Sequence, residues 1–244
     1  MRDSESRTVD IRRRAGAQGV ILFDASLLPQ ATLELADPAA WPEARILSGR
    51  GGRGGAVQVR AEFGEGILRH CRRGGLISRW NRDAYLFLGE ARVRSVREFH
   101  LLVELRRRGL PVPRPVFAAW RRSGLFYRAD LLTGLIAESR SLPECLAESR
   151  AGVPWEKLGT TIARFHRQGV WHADLNAWNI LLDAHADVWL IDFDRGRLRP
   201  PAVSWQQANL ARLRRSLEKL GMFDARDWER LRRAYGATPG KEEG

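Results

Sequence analysis

The feature that most constrains the fold is a pair of short apolar runs, 180–182 and 188–191, within the segment WHADLNAWNILLDAHADVWLIDFDRG at 171–196. A turn-forming stretch that begins and ends with aspartate separates the runs, which predicts a tight β-hairpin. The two ends of a hairpin lie side by side. We therefore expect Asn179, just before the first strand, and Asp192, just after the second, to converge.

The polar residues of this segment suit phosphoryl transfer. An aspartate that accepts a hydroxyl proton, with an asparagine and an aspartate that hold Mg²⁺, is the arrangement that such transfer needs. Turn chemistry alone also favours Asp and Asn, but the pattern H-x-D-L-x-x-x-N, followed by a hairpin and D-F-D, is far more specific. We assign catalysis to Asp174 and metal binding to Asn179 and Asp192. His172 is expected to support the loop by hydrogen bonding.

A nucleotide-binding end is predicted in the first half of the chain. Gly49, Gly51 and Gly54 fit G-x-G-x-x-G and precede two strand candidates, 56–61 and 66–70. Glycines let backbone amides approach phosphates closely, although a flexible Gly/Arg loop also explains the match.

A kinase-like site, which the H-x-D-L-x-x-x-N segment resembles, implies a cation on the following strands that holds the α- and β-phosphates, normally a lysine. No lysine precedes Lys157, and Arg69 occupies the V-A-I-K-like register, so Arg69 is the candidate, with Arg72 or Arg73 as alternatives. The predicted partner of Arg69 is Glu98, and Glu104 is the fallback. The base is expected near 131–133.

The arrangement of the elements predicts an α+β fold with two lobes. Strand candidates dominate the first half, and amphipathic helices are predicted at 95–108, 142–149, 154–168 and 205–220. We divide the chain into a loose N-terminal arm (1–19), a β-rich, nucleotide-binding N-lobe (20–132) and a mainly helical, shortened C-lobe (133–244) that carries the catalytic and acceptor-binding residues.

The catalytic segment resembles that of the protein-kinase-like superfamily. In detail, HADLNAWNILLD and WLIDFDRGRLR, with LRHCRRGGL at 68–76, REFHLLVELRRRGLPVPRP at 97–115 and WQQANLARLRRSL at 205–217, are similar to the Kdo kinases of the lipopolysaccharide kinase group. The resemblance spans about residues 20–220. It implies a bilobal kinase-like fold, ATP and Mg²⁺ as cofactors, and phosphorylation of the 4-hydroxyl of Kdo (3-deoxy-D-manno-octulosonic acid) on a lipid A precursor.

Charge and composition bear on the acceptor and the compartment. The net charge is +12, carried almost wholly by arginine, which suits phosphate-rich partners such as an anionic lipid or nucleic acid. A GC-rich genome would also explain the arginine bias. Residues 72–82 interleave arginines with apolar and aromatic groups, as a membrane interface requires, although a solvated loop fits too. No signal peptide, disulfide framework or spanning segment is predicted, which favours a reducing cytoplasm. The family resemblance implies a peripheral protein on the cytoplasmic face of a bacterial inner membrane.

Several rival functions stay open. Ala173 replaces the arginine of H-R-D, and little chain follows Asp192, so a small-molecule or lipid acceptor is favoured over a peptide. A heptose kinase of the lipopolysaccharide inner core would share the chemistry. A small protein kinase or ATPase of the RIO type would also be short and basic. A non-catalytic nucleic-acid-binding module is disfavoured by the intact set of Asp174, Asn179 and Asp192, so no nucleic-acid partner is expected.

Overall fold

The computed structural model describes residues 9–47, 56–71 and 84–237, and the chain divides into two compact units. The first unit contains the residues up to Arg108 together with Pro113–Leu135. The second contains Gly109–Val112 together with the residues from Ile136 onward. Strands dominate the first unit and helices the second, so the predicted α+β class is confirmed.

The first unit is built on an antiparallel sheet that has eight strands in the described ranges. Their bounds are β1 Ile11–Gly16, β2 Gly19–Asp24, β3 Arg45–Leu47, β4 Ala56–Ala61, β5 Gly64–His70, β6 Tyr85–Leu86, β7 Pro115–Ser123 and β8 Phe126–Gly134. The strand order is β1-β2-β7-β8-β5-β4-β3, with β6 also pairing with β8. The central strand β8 therefore lies between β7 and β5, which places β5 in the interior of the sheet.

Both faces of this sheet are covered, because β2 is buried along its whole length. Alternate side chains of a strand point to opposite faces. Ile21 and Phe23 belong to one apolar cluster with residues from the 25–44 segment. Val20 and Leu22 belong to a second cluster, which includes Val96 of helix α1 (Arg94–Arg107) and Val93 just before it. The helix therefore packs on one face and the 25–44 segment on the other.

The prediction of a loose arm over residues 1–19 is wrong for the part that forms β1. This strand pairs with β2 from Ile11↔Asp24 to Gly16↔Gly19. All six of its side chains are exposed, so the strand has no apolar alternation to reveal it in the sequence. The strand is ordered because its backbone pairs with the buried strand β2.

The second unit contains four α-helices and two small sheets within the described residues. The helices are α2 Leu142–Glu148, α3 Trp155–Arg167, α4 Val203–Lys219 and α5 Ala225–Ala237. The strands are β9 Arg140–Ser141, β10 Val170–Trp171, β11 Ile180–Leu182, β12 Val188–Leu190 and β13 Arg197–Leu198. They pair as β12-β11-β9 and as β10-β13. The bounds of α1 to α4 lie within two residues of the prediction, whereas α5 was not predicted. No helix in the described ranges is long and apolar enough to cross a membrane.

Candidate active site

The strands β11 and β12 form the antiparallel hairpin that the sequence predicts. Beyond the last pair of their register, the Ile191 N–H donates to the Asn179 carbonyl oxygen at 3.0 Å. Asn179 and Asp192 consequently lie at neighbouring positions at one end of the hairpin. The geometric part of the prediction is confirmed.

Asp192 has a backbone conformation that few side chains adopt. Its φ is +64°, in the left-handed region. The preceding residue is tied to Asn179, and the following residue, Phe193, is 1% exposed, so both neighbours are held in place. A non-glycine residue in this region costs on the order of 1 kcal/mol, and such residues cluster at functional sites.

His172 is a structural member of the catalytic loop. The Asp174 N–H donates to its Nδ1 at 3.1 Å, so Nδ1 is the acceptor nitrogen and Nε2 carries the proton. Nε2 lies 3.0 Å from the carbonyl oxygen of Ile191 and donates to it. The ring is 2% exposed and packs against Phe193 with centroids 4.7 Å apart. It therefore links the Asp174 backbone to the end of β12, as the supporting role predicted for it requires.

Two asparagines fix the turn between Asp174 and the hairpin. The Asn176 side-chain oxygen accepts from the Trp178 and Asn179 N–H groups at 2.9 and 3.2 Å and caps the turn. The Asn179 side-chain amide donates to the Asp174 carbonyl oxygen at 2.8 Å. Because that bond uses the nitrogen, the orientation of the Asn179 amide is set and its oxygen points away from the Asp174 carbonyl.

Helix α4 contacts the loop through three polar side chains that the sequence analysis did not assign to the site. The buried Asn209 accepts from the His172 N–H at 3.3 Å and donates to the His172 carbonyl oxygen at 2.9 Å. The Ser216 hydroxyl accepts from the Ala177 N–H at 3.1 Å. Arg212, between them on the same helical face, donates to an Asp174 carboxylate oxygen at 2.8 Å.

The Asp174 carboxylate is accessible. Its side chain is 54% exposed, and that of Arg212 is 50% exposed. An ion pair this exposed contributes little to stability. The loop therefore holds its backbone through buried hydrogen bonds and leaves the carboxylate open to a substrate.

Asn179 and Asp192 have the donor chemistry for Mg²⁺. Both offer hard oxygen atoms, and Mg²⁺ is commonly held by one or two carboxylates together with substrate phosphates. The described residues contain no group of three or more His, Cys, Asp or Glu that could hold a metal ion by themselves. Asp192 is partly exposed, and its role as a metal ligand stays a prediction. Asn179 has no exposed surface, so the groups that cover its side chain would have to move when the ion binds.

The first unit brings Arg69 and Glu98 together. Arg69, on the interior strand β5, donates to a Glu98 carboxylate oxygen of α1 at 2.6 Å. The side chains are 26% and 4% exposed. The fallback, Glu104, pairs with Arg107 and Arg108 on its own helix at 2.8 and 2.7 Å. Glu98 is therefore the partner of Arg69, and their role towards a nucleotide stays a prediction.

The base was predicted near residues 131–133, and this position stays a prediction. The backbone at Leu131–Thr133 pairs with β5 on one side and with β7 on the other, so its polar groups face neighbouring strands. A cavity of about 420 Å³ in this unit is lined by His70, Asp130 and residues of the 36–38 segment. His70 follows Arg69 in the strand and points to the opposite face, so this cavity is separate from the Arg69–Glu98 pair.

Some predicted residues lie outside the described ranges. They are the glycines Gly49, Gly51 and Gly54, the alternative cations Arg72 and Arg73, and the basic and aromatic patch at 72–82.

Comparison with known proteins adds two findings. Residues 40–235 match the family described as "Lipopolysaccharide kinase (Kdo/WaaP) family". A 3-deoxy-D-manno-octulosonic acid kinase of Xanthomonas campestris pv. campestris (strain B100) is 50% identical over 234 residues, which are 94% of this chain and 94% of that protein. The enzyme of the same name from Xylella fastidiosa (strain M12) is 50% identical over 223 residues, 89% of this chain and 90% of that protein. These matches agree with the predicted kinase-like fold and with a phosphotransferase.

Proposed function

The chain belongs to the lipopolysaccharide kinase (Kdo/WaaP) family, and we propose that it is a Kdo kinase of lipopolysaccharide biosynthesis. In this proposal the γ-phosphoryl group of ATP is transferred to the 4-hydroxyl of Kdo on a Kdo-bearing lipid A precursor. The observation that carries the proposal is the accessible Asp174 carboxylate on a loop whose backbone is fixed at His172, Asp174 and Ala177.

The proposed chemistry assigns a role to each residue of the loop. Asp174 accepts a hydrogen bond from the acceptor hydroxyl and takes its proton while the hydroxyl oxygen bonds to the γ-phosphorus. The bond between that phosphorus and the bridging oxygen breaks, and ADP leaves. Asn179 and Asp192 would hold Mg²⁺, which supplies positive charge against the phosphate oxygens. Arg69, oriented by Glu98, would bind the nucleotide phosphates.

Substitution of the carboxylate tests this assignment. Asp174→Asn should lower kcat by about 10²- to 10⁴-fold, the usual contribution of a general base, and leave ATP binding largely intact. Asp187→Asn is the matched control, because Asp187 is also about half exposed, at 43%, and pairs with a cation, Lys157, at 2.7 Å. Substantial turnover by Asp174→Asn would remove Asp174 from the assigned role.

A heptose kinase is the second candidate, because the loop chemistry is the same for any sugar hydroxyl. The deciding assay offers the purified protein ATP, Mg²⁺ and either a Kdo-bearing lipid A precursor or a heptosylated core. We expect phosphate on Kdo. Transfer of phosphate to heptose alone would contradict the proposal of a Kdo kinase.

We further propose that the acceptor is met at a membrane surface, since a lipid A precursor is a glycolipid. The β10–β13 ribbon leads directly into His172 and exposes a basic, partly apolar surface. Arg197 and Arg199 lie 5.8 and 4.6 Å from the Trp171 ring centroid, and Leu198 is 38% exposed. Arginine with Trp and Leu suits an anionic headgroup interface.

A vesicle assay tests the membrane contact. The full-length protein should sediment with vesicles that contain phosphatidylglycerol more than with neutral vesicles, and Arg197→Gln should weaken this binding. Arg215→Gln, on an exposed turn of α4, is the charge-matched control. Equal sedimentation of the two variants would assign the binding to another surface.

A further inference from the structure

Arg212 of α4 makes its hydrogen bond with the loop to a side chain. Asn209 and Ser216 already hold the loop backbone at His172 and Ala177. The bond from Arg212 ends on the Asp174 carboxylate, and both side chains are about half exposed. This contact is therefore dispensable for placing the loop, and its position beside the proposed base calls for a chemical explanation.

The catalytic loop brings no cation of its own to this point. The segment from His172 to Asn179 contains no lysine or arginine. Among the described residues, Asp174 is the only hydrogen-bond partner of the Arg212 guanidinium. A guanidinium carries five N–H donors in a planar fork, so donors remain for a second anion next to the place where the acceptor hydroxyl binds.

The proposed acceptor supplies such an anion. Kdo is a sugar acid whose carboxylate is attached to C2, and a single methylene, C3, separates C2 from the C4 carbon that bears the hydroxyl. When the 4-hydroxyl meets Asp174, the sugar carboxylate consequently lies close to the same part of the protein. Two carboxylates this near repel each other unless a cation lies between them.

We propose that Arg212 binds the carboxylate of the acceptor sugar and thereby selects an acidic sugar over a neutral one. The inference rests on the proposed function and deepens it. The planar fork of an arginine matches a carboxylate in bidentate geometry, which a lysine cannot reproduce. The same fork could instead bind a phosphate of the nucleotide, so the test must separate the two anions.

The test compares two acceptors and three variants. The acceptors are a Kdo-bearing lipid A precursor and the same compound with its Kdo carboxyl group converted to the methyl ester. The variants are Arg212→Met, Arg212→Lys and the control Arg215→Met, whose arginine is exposed on the same helix. Steady-state constants are measured for both acceptors and for ATP, and circular dichroism verifies that each variant is folded.

We expect Arg212→Met to lower kcat/KM for the acid acceptor by about 10- to 100-fold, the loss that follows removal of a charged hydrogen bond, mainly through a higher KM. The kcat/KM of Arg212→Lys should lie between those of Arg212→Met and the unaltered protein, and the kcat/KM of Arg215→Met should equal that of the unaltered protein. The ester should be a poor acceptor for the unaltered protein, and Arg212→Met should cause little further loss with it.

Three results would overturn the inference. The first is that the unaltered protein uses the acid and the ester equally well. The second is that Arg212→Met lowers kcat/KM by the same factor for both acceptors. The third is that Arg212→Met raises KM for ATP, which would assign Arg212 to the nucleotide. No transfer to either acceptor by the unaltered protein would overturn the proposed function itself, and the inference with it.

Discussion

The hydrogen bonds between Asn209 and the catalytic loop allow a prediction of magnitude. Asn209→Leu keeps a similar volume but removes both bonds to His172, at 3.3 and 2.9 Å. The two residues are 4% and 2% exposed, so water cannot replace the lost partner. A buried peptide group left without a partner costs about 1–3 kcal/mol. With two such groups affected, we expect the free energy of unfolding to fall by about 2–4 kcal/mol.

The same substitution should impair catalysis. Asp174 lies two residues beyond the freed peptide group, and a displacement of about 1 Å at a catalytic group can cost about 100-fold in rate. We expect kcat to fall by about 10- to 100-fold while KM for ATP stays unchanged. Urea denaturation followed by circular dichroism gives the stability, and initial rates are measured where the variant is fully folded.

The control is Gln207→Leu, which removes an exposed amide on the same helix that accepts from Arg232. It should change stability and rate little. If Asn209→Leu behaved like this control, Asn209 would not be holding the loop. If it lost stability and kept its full kcat, the link from the His172 peptide to the position of Asp174 would be refuted.

Three further predictions follow from buried contacts. Burial lowers the pKa of His166 to about 4 from the ordinary 6.5, so the unfolded chain binds the proton more readily than the folded protein does. The free energy of unfolding should therefore fall by about 3 kcal/mol from pH 6.5 to 4. Urea titrations at several pH values should show a flatter stability profile for His166→Gln. Gly159→Ala would place a Cβ 2.2 Å from a carbonyl oxygen of α5, so thermal unfolding should show a loss of about 1–3 kcal/mol in the free energy of unfolding. The control Gly236→Ala, with open space around the added Cβ, should be neutral or stabilising. Glu98→Gln should raise KM for ATP by about tenfold or more, because the substitution removes the charge that orients Arg69. The control Glu104→Gln, which alters an ion pair with Arg107 on the same helix, should leave KM for ATP unchanged.

Much of the fold and part of the site could be predicted because local patterns carried the information. The hairpin followed from two apolar runs and a turn, and its pairing brings Asn179 next to Asp192. The pairing of Arg69 with Glu98 followed from the kinase-like register of Arg69 on a strand candidate and from the R-E-x-x-L-L context of Glu98 on a predicted helix. In each case the elements are regular, and their geometry places the side chains.

The strands β1 and β2, which were missed, lack such a pattern. The strand β1 exposes every side chain, and its neighbour β2 is buried on both faces, so neither strand shows the alternation of a half-buried strand. The surroundings of the predicted base position are a second example. The sequence does not reveal that both edges of β8 are occupied by neighbouring strands.

Helix α4 shows how the missed site residues could have been recognised. Its apolar stripe, with Leu210 and Leu213, marks the face that packs in the core. Asn209 adjoins this stripe and is buried with it, and a buried amide is costly unless it has partners. An asparagine at such a position therefore indicates backbone groups without regular partners nearby, which is what an irregular catalytic loop presents. Arg212, three residues later on the same face, contacts the loop although its side chain is half exposed. Its charge is therefore available to the proposed chemistry at Asp174.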